Sequence, residues 1–161
     1  MPITQTLLKE LLRYDSDSGV FIWLVNMGKL RTAGKIAGTV TDQGYITITI
    51  GGKKLKAHRL AWLYVHGVMP KQIDHVDRNP LNNRLSNLRL ATYQQNSANA
   101  KWRSAYKGVR RNKGGNRWEA RIKVDQHEYF LGSYTTEEEA AKRYNEAARH
   151  YFGEYAFLNP V

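Results

Sequence analysis

The sequence contains no cysteine among its 161 residues. This absence excludes disulfide bonds, thiolate zinc sites and cysteine nucleophiles, so any metal must be held by oxygen or imidazole ligands. It also fits an intracellular protein, in which disulfides are rare.

Long apolar segments are missing as well. Runs such as GVFIWLV, residues 19–25, are far shorter than the roughly 18 residues that a membrane-spanning helix needs. The N-terminal segment MPITQTLLKELLR lacks the apolar core of a signal peptide. We therefore expect a soluble, unexported, cytoplasmic protein that has no membrane partner.

Acidic residues are few, with 14 Asp and Glu against 25 Lys and Arg, for a net charge of +11. The excess is concentrated in residues 101–123, which hold nine basic residues and one acidic residue, interleaved with Trp102, Tyr106 and Trp118. Such a segment predicts a polyanionic partner, because Lys and Arg release counterions from the phosphates they contact. A solvated basic face is the alternative interpretation.

The first 70 residues show a mixture of helix and strand patterns. Thr4 is placed to cap a short amphipathic helix, and GVFIWLV predicts a strand. The segment GYITITIGGKKLKAHR predicts two strands that are joined by a tight turn at Gly51 and Gly52. HRLAWLYVHG predicts a buried helix that ends at Gly67. The polar face of YITITI fits either DNA or solvent.

Histidines stand at both ends of this second predicted helix, His58 and His66. A histidine at a helix end more often caps or packs than reacts, so we expect a structural role for both.

The segment IDHVDRNPLNNRLSNLRLATYQQN, residues 73–96, combines an Asp-His pair with many asparagines. It predicts strand, loop, strand and then helix, the helix opening with a capping box of Thr92 and Gln95. Asn96 on its first turn could then join Asp74 on one cation. A carboxylate and an amide oxygen suit Mg²⁺, and the neighbouring His75 remains available as a base. Alternatively, the segment is a hairpin whose asparagines only form turns.

The same segment, preceded by HRLAW, closely resembles the HNH endonucleases of phages and intron-borne homing enzymes, in which a strand-strand-helix metal finger cuts DNA. The resemblance implies that Asp74 is the first metal ligand, that His75 is the general base, that Asn87 holds the loop and orients the His, and that Asn96 is the final metal ligand. That last position is His in many HNH enzymes and Asn in the subgroup that this sequence resembles, so Mg²⁺, or Mn²⁺, is favoured over Zn²⁺.

Other polar residues of this segment receive weaker interpretations. Asp77 either supports the metal site or, better, forms a turn, and Asn82 and Asn83 brace the loop. Arg84 and Arg89 fit phosphate contacts and ordinary surface charge equally well.

The C-terminal third predicts three strands, in YKGVRR, RWEARIKV and EYFLGSY, followed by a helix with a capping box at Thr136 and Glu139. The apolar positions of that helix are Ala140, Ala141, Tyr144, Ala147, Ala148 and Tyr151, and Gly153 ends it. The small alanines would let the helix lie close against the sheet and leave the other sheet face open.

Residues 106–159 resemble the plant Apetala and ethylene-response-factor DNA-binding domain, in which a sheet enters the major groove. The resemblance implies DNA contacts by Lys107, Arg110, Arg111, Arg117, Trp118, Arg121 and Lys123. The usual Glu of the second strand is Arg121 here and the usual Trp of the third is Phe130, so the plant site preference does not carry over. Trp118 could instead belong to the core, although we favour a groove contact.

Taken together, the sequence predicts an α+β protein. Residues 1–99 would form antiparallel strands and a helix leading into a ββα-metal nuclease, residues 100–105 a linker, and residues 106–161 a three-stranded antiparallel sheet packed on one helix. The predicted function is Mg²⁺- or Mn²⁺-dependent cleavage of double-stranded DNA in a bacterial or phage-infected cell. The sequence does not determine the oligomeric state, and it is compatible with a monomer that binds DNA. The alternatives are a DNA-binding regulator with an inactive nuclease fold and, less favoured, an RNA-cleaving enzyme.

Overall fold

The structure is a computed structural model that describes residues 3–28, 31–100 and 105–161. The chain divides into two compact units, Met1–Leu90 and Ala91–Val161, called here the N-terminal and C-terminal units. Residues 101–104 of the predicted linker, including Trp102, lie outside the described residues. The division assigns the last helix of the predicted ββα segment to the C-terminal unit, and the predicted domain limits remain a prediction.

The N-terminal unit is built, over its described residues, from two helices and short antiparallel strands. The elements are α1 Gln5–Leu11, β1 Leu12–Asp15, β2 Val20–Trp23, β3 Ile36–Ala37, β4 Thr39–Val40, β5 Ile46–Ile50, β6 Lys53–Lys56, α2 Ala57–His66, β7 Ile73–His75 and β8 Leu88–Leu90. The sheets run in the orders β1-β2-β3, β4-β5-β6 and β7-β8. One apolar core, with Leu8, Leu12, Ile48 and Leu60 at its centre, joins α1, α2 and the sheets.

Local sequence signals explain where several of these elements begin and end. The Thr4 hydroxyl accepts from Leu7 N at 3.2 Å and caps α1, as the sequence predicted. Gly51 and Gly52 both have positive φ and connect β5 to β6, and Gly67 ends α2 in the left-handed conformation.

Over its described residues, the C-terminal unit contains two α-helices and a three-stranded antiparallel sheet of order β11-β10-β9. Its elements are α3 Tyr93–Asn99, β9 Val109–Arg111, β10 Trp118–Val124, β11 His127–Tyr134 and α4 Glu137–Phe152. Both predicted capping boxes are present, at Thr92 with Gln95 and at Thr136 with Glu139. The alanines of α4 pack against Val109, Ala120 and Ile122, so one face of the sheet is covered by the helix.

One residue of the predicted apolar stripe of α4 is placed differently. Tyr151 is exposed and stacks on Tyr129 of β11, with 6.1 Å between ring centroids, while its neighbour Phe152 is buried. The prediction for Tyr151 was therefore wrong, because helical spacing alone cannot separate the edge of an apolar stripe from its centre. Within the described residues, no helix is both long and apolar enough to span a membrane.

Candidate functional site

The Asp-His pair lies on β7, which pairs with β8 so that Asp74 is opposite Arg89 and His75 is opposite Leu88. Both side chains belong to buried residues, Asp74 being 3% exposed and His75 7%. One carboxylate oxygen of Asp74, Oδ2, accepts from Arg89 Nε and lies 2.8 Å from Arg89 Nη2. Arg89 thus compensates a buried charge, and the interpretation of Arg89 as surface charge was wrong.

The imidazole of His75 is held in a site that disfavours its charged form. Its Nε2 lies 3.3 Å from Asn83 Oδ1. Burial lowers the pKa of His75, against the opposing effects of the Asn83 hydrogen bond and of Asp77 and Asp74. His75 is therefore neutral at physiological pH and able to accept a proton.

A second imidazole lies beside His75. The ring of His58, at the start of α2, meets that of His75 edge to face, with 4.9 Å between centroids. Burial, the neighbouring His75 and the positive charges of Lys56 and Arg59 lower the pKa of His58 to about 3. Its Nδ1 has no hydrogen-bond partner within the part of the chain that the structure describes.

The expected packing role does not describe His58 fully, because its ring also contacts His75. No pattern in the sequence indicates that α2 brings the two rings together. His66, at the other end of the helix, is exposed and lies on the Trp62 ring, with 4.3 Å between centroids. That contact agrees with a packing role.

Asn87 closes the loop that separates β7 from β8. Its Oδ1 accepts from Asp77 N at 3.0 Å, and its Nδ2 donates to Asp77 Oδ1 at 2.9 Å and to Asn82 O at 2.8 Å. Its backbone carbonyl accepts from Val76 N at 2.9 Å. Asn87 thus joins both ends of the loop next to His75.

Asp77 serves this loop as a turn residue, the better of its two predicted roles. Its carboxylate accepts from Asn79 N at 2.8 Å and from Asn82 Nδ2 at 2.7 Å. Burial acts to raise the pKa of Asp77, but these hydrogen bonds and the one from Asn87 outweigh it and lower the pKa. The carboxylate is thereby kept ionised and committed to the loop.

Asn96 occupies the first turn of α3, where its backbone N donates to Thr92 O at 3.0 Å. It belongs to the C-terminal unit, whereas Asp74 and His75 belong to the N-terminal unit. Joint ligation of one cation by Asp74 and Asn96 therefore stays a prediction. Among the described residues, no group of three or more His, Cys, Asp or Glu side chains could hold a metal ion.

The open face of the C-terminal sheet carries most of the predicted DNA contacts. Arg110 pairs with Glu119 across the strands, and Arg121 forms ion pairs with Glu119 at 3.1 Å and Glu128 at 2.9 Å. Lys123 is exposed two residues further along β10. This face is therefore basic but contains two carboxylates that partly neutralise Arg121.

Arg111 and Arg117 make local contacts at one end of this sheet. Arg111 donates to Gly115 O at 2.6 Å, and Arg117 donates from Nη2 to Ser133 O at 2.8 Å. Both side chains are otherwise at the surface.

Two of the predicted DNA contacts have another place in the structure. Trp118 packs with Ala120 on the face covered by α4, and Arg111 lies over its ring at 4.7 Å. Lys107 is buried, and its ammonium donates to the carbonyls of Ser97, Ala98 and Ala100 at 3.1, 2.6 and 3.1 Å. The packing favours a structural role for both residues over a groove contact.

The chain matches a family model and is also similar to individual proteins. Residues 55–98 match a family model described as HNH endonuclease. The chain is 37% identical over 141 residues to an uncharacterized HNH endonuclease of Acanthamoeba polyphaga mimivirus, covering 85% of this chain and 74% of that protein. It is 36% identical over 85 residues to protein 3.8 of Escherichia phage T7, covering 48% of this chain and 70% of that protein.

A third similarity is of another kind. An ethylene-responsive transcription factor of Arabidopsis thaliana is 38% identical over 91 residues. The match covers 55% of this chain but only 20% of that protein.

Proposed function

Since the chain belongs to the HNH endonuclease family, we propose that it is a metal-dependent DNA endonuclease of the homing type that hydrolyses phosphodiester bonds. The observation that carries the proposal is the buried pair of Asp74 and His75 on β7, in which burial keeps the imidazole neutral. A carboxylate can hold a metal ion and a neutral imidazole next to it can accept a proton, which are two functions that metal-assisted hydrolysis uses.

His75 is the proposed general base. A neutral imidazole can take a proton from the attacking water as the new phosphorus–oxygen bond forms. The rate of this transfer depends on whether the imidazole nitrogen lies within hydrogen-bond reach of the water. Asn87 closes the loop next to this ring through its bonds to Asp77 and Asn82, which supports its proposed role in holding the catalytic segment.

Asp74 and Asn96 are the proposed metal ligands. Both offer hard oxygen donors, which fits Mg²⁺ or Mn²⁺, and so small a protein ligand set fits an ion that takes its remaining ligands from water and substrate phosphate. When bound, such an ion neutralises charge on the phosphate and on the leaving oxygen. Arg89, already on Asp74 Oδ2, would orient the carboxylate for this role.

Double-stranded DNA is the proposed substrate, with the open face of the C-terminal sheet as a binding surface. Arg110, Arg117, Arg121 and Lys123 belong to this surface, and Arg111 lies at its edge. The ion pairs of Arg121 with Glu119 and Glu128 would have to loosen when phosphates arrive, which favours selective over indiscriminate binding. Trp118 and Lys107 are not included, because of their packing.

A DNA-binding regulator with an inactive nuclease fold is the second candidate. The similarity to a plant transcription factor favours it, although that match covers only 20% of the plant protein. The two candidates make opposite predictions for DNA cleavage. Action in the cytoplasm of an infected cell remains a prediction that the viral and phage relatives support.

Incubation of supercoiled plasmid with the purified chain tests the proposal directly. We expect nicked or linear DNA with Mg²⁺ or Mn²⁺ and intact plasmid in EDTA, with the His75→Ala variant as a control against contaminating nucleases. The ratio of nicked to linear product reports the mode of cutting. Binding without cleavage at any metal concentration would favour the regulator.

A further inference from the structure

Asn83 lies in the loop between β7 and β8 and is almost completely buried, at 1% exposure. Its Nδ2 donates to Leu81 O at 3.4 Å, and its Oδ1 faces His75 Nε2 at 3.3 Å. The carbonyl of Leu81 can only accept, so the amide nitrogen must point toward it. The amide oxygen is thereby left on the side of His75.

This orientation determines which nitrogen of His75 carries the hydrogen. An amide oxygen only accepts, so the bond requires a hydrogen on Nε2. In the neutral ring the lone pair then lies on Nδ1, which becomes the proton-accepting atom. Asn83 therefore selects one tautomer of the imidazole as well as its direction.

The segment that carries Asn83 is held by strand β1 and by the turn between β1 and β2. The hydroxyl of Tyr14 donates to Asn83 O at 2.7 Å in a buried bond, and burial, with a smaller effect of Asp15, raises the pKa of Tyr14 to about 12. Tyr14 is consequently a permanent donor at physiological pH. Leu85 N also donates to Ser16 O, at 3.0 Å.

The same turn approaches the backbone of this segment very closely. Arg84 Nε donates to Asp17 O at 2.7 Å. Gly19 has φ of +76°, and a Cβ placed there would lie 2.5 Å from both Arg84 N and Asn83 C. Only glycine permits this backbone conformation and this approach together.

We propose that Asn83 is a positioning residue for His75, and that the hairpin Leu12–Trp23 is part of the catalytic unit because Tyr14 and Gly19 hold Asn83 in place. The inference rests on the proposed role of His75 as general base. It assigns a function to a hairpin that lies outside the family match at residues 55–98.

The first test compares Asn83→Leu with Asn83→Asp in the full chain. Leu preserves volume but removes the acceptor, and we expect kcat for plasmid cleavage to fall roughly 10- to 100-fold, as for partners that orient functional imidazoles, with little change in KM. Asp restores an acceptor and should recover most of the loss. Imidazole ¹⁵N shifts of His75, recorded without metal or DNA, should show the Nε2–H tautomer in wild type and in Asn83→Asp but a tautomer mixture in Asn83→Leu.

The second test addresses the hairpin. Tyr14→Phe deletes only the hydroxyl and should lower kcat several-fold while broadening the tautomer distribution of His75. Tyr64→Phe is the matched control, because Tyr64 packs on the Tyr14 ring, 5.8 Å between centroids, from the same core. The control should leave both readouts at their wild-type values.

The outcomes separate this inference from the proposed function. If His75→Ala abolishes cleavage while Asn83→Leu retains wild-type kcat and tautomer, the positioning role is refuted and the base survives. If His75→Ala cleaves normally, the proposed role of His75 as general base fails, and the ¹⁵N tautomer still decides the effect of Asn83. Should Asn83→Leu not fold, an unchanged tautomer and kcat in Tyr14→Phe would refute the inference.

Discussion

The imidazoles of His58 and His75 meet edge to face, 4.9 Å apart between centroids, within the buried part of the N-terminal unit. Two charged imidazoles at this distance would repel each other strongly away from water. The arrangement is therefore compatible only with neutral rings or with a single proton between them. His58 thus constrains the chemistry of its neighbour without being part of the predicted ligand set.

Acid should destabilise the protein through His58. Its pKa is about 3 in the folded chain and near 6.5 when unfolded, so the unfolded state binds the extra proton and stability falls as pH drops below 6.5. Between pH 7 and pH 5 this group alone should cost about 2 kcal/mol. Urea unfolding at both pH values measures the loss, and His58→Phe should remove this part of it, with exposed His127→Phe as the control for replacing a histidine. An equal loss in wild type and His58→Phe would contradict the assignment.

His75→Ala should slow the chemical step by roughly 10²- to 10⁴-fold, the range for removal of a general base. DNA affinity should stay nearly unchanged, because His75 is buried and contributes little area compared with the basic surface that is proposed to bind DNA. Single-turnover cleavage and fluorescence anisotropy of labelled DNA separate the two effects. Wild-type cutting by the variant would remove His75 from its role.

The metal prediction concerns Asp74. Activity should require Mg²⁺ or Mn²⁺ and disappear in EDTA, because both proposed ligands are hard oxygen donors. Asp74→Ala should abolish cleavage at ordinary metal concentration, and partial recovery at higher concentration would support ligation over packing. A circular dichroism melt is needed beside it, since the variant leaves Arg89 without the carboxylate it contacts. Undiminished cutting in EDTA would refute the metal mechanism.

Local patterns predicted much of the fold. The caps at Thr4, Thr92 and Thr136 and the turn at Gly51 are confirmed, because capping and tight turns depend on residues only a few positions apart. The bond from Tyr14 to Asn83 joins residues 69 positions apart and depends on tertiary packing. Sequence periodicity carries no signal for such a bond.

The placement of Trp118 could have been predicted better. In a strand, alternate residues share a face, so Trp118 belongs with Ala120 and Ile122 against the helix, opposite Arg121. Family resemblance outweighed this alternation in our interpretation. The sequence around Lys107 contains no comparable signal. Lysine is rarely buried unless its ammonium is paired, and the carbonyls that surround this ammonium are brought to it only by the fold.

Lys107 and Lys123, two of the lysines of the C-terminal unit, should behave differently. Lys123→Met removes an exposed charge from the open sheet face and should weaken DNA binding and reduce its salt dependence. Lys107→Met should leave the salt dependence unchanged but lower stability, because it deletes three charge-assisted hydrogen bonds to the end of α3. Anisotropy titrations at several salt concentrations, with a thermal melt for each variant, make the comparison. The reverse pattern would place Lys107 on DNA.

Replacing Arg110 and Arg121 together tests whether the open sheet face holds the substrate. Arg110 is the more accessible, with 57% of its side chain exposed, and Arg is well shaped to pair with guanine edges in the major groove. For each phosphate that the variant no longer neutralises, the slope of log affinity against log salt should decrease by about 0.9. Cut sites on a long DNA should also become less selective, while cleavage at saturating DNA persists.

The double variant is a cleaner test than truncation after Asn99. Truncation would remove Lys107 and Phe157, which both bond to the carbonyl of Ala98 in α3, and would therefore disturb the helix that carries Asn96. Glu119→Gln is the matched control, because it frees Arg110 and Arg121 from a carboxylate and should steepen the salt dependence where the double variant flattens it. If affinity, slope and cut sites are unchanged in both, the sheet does not bind the DNA, and its likeness to a plant DNA-binding domain has no functional counterpart here.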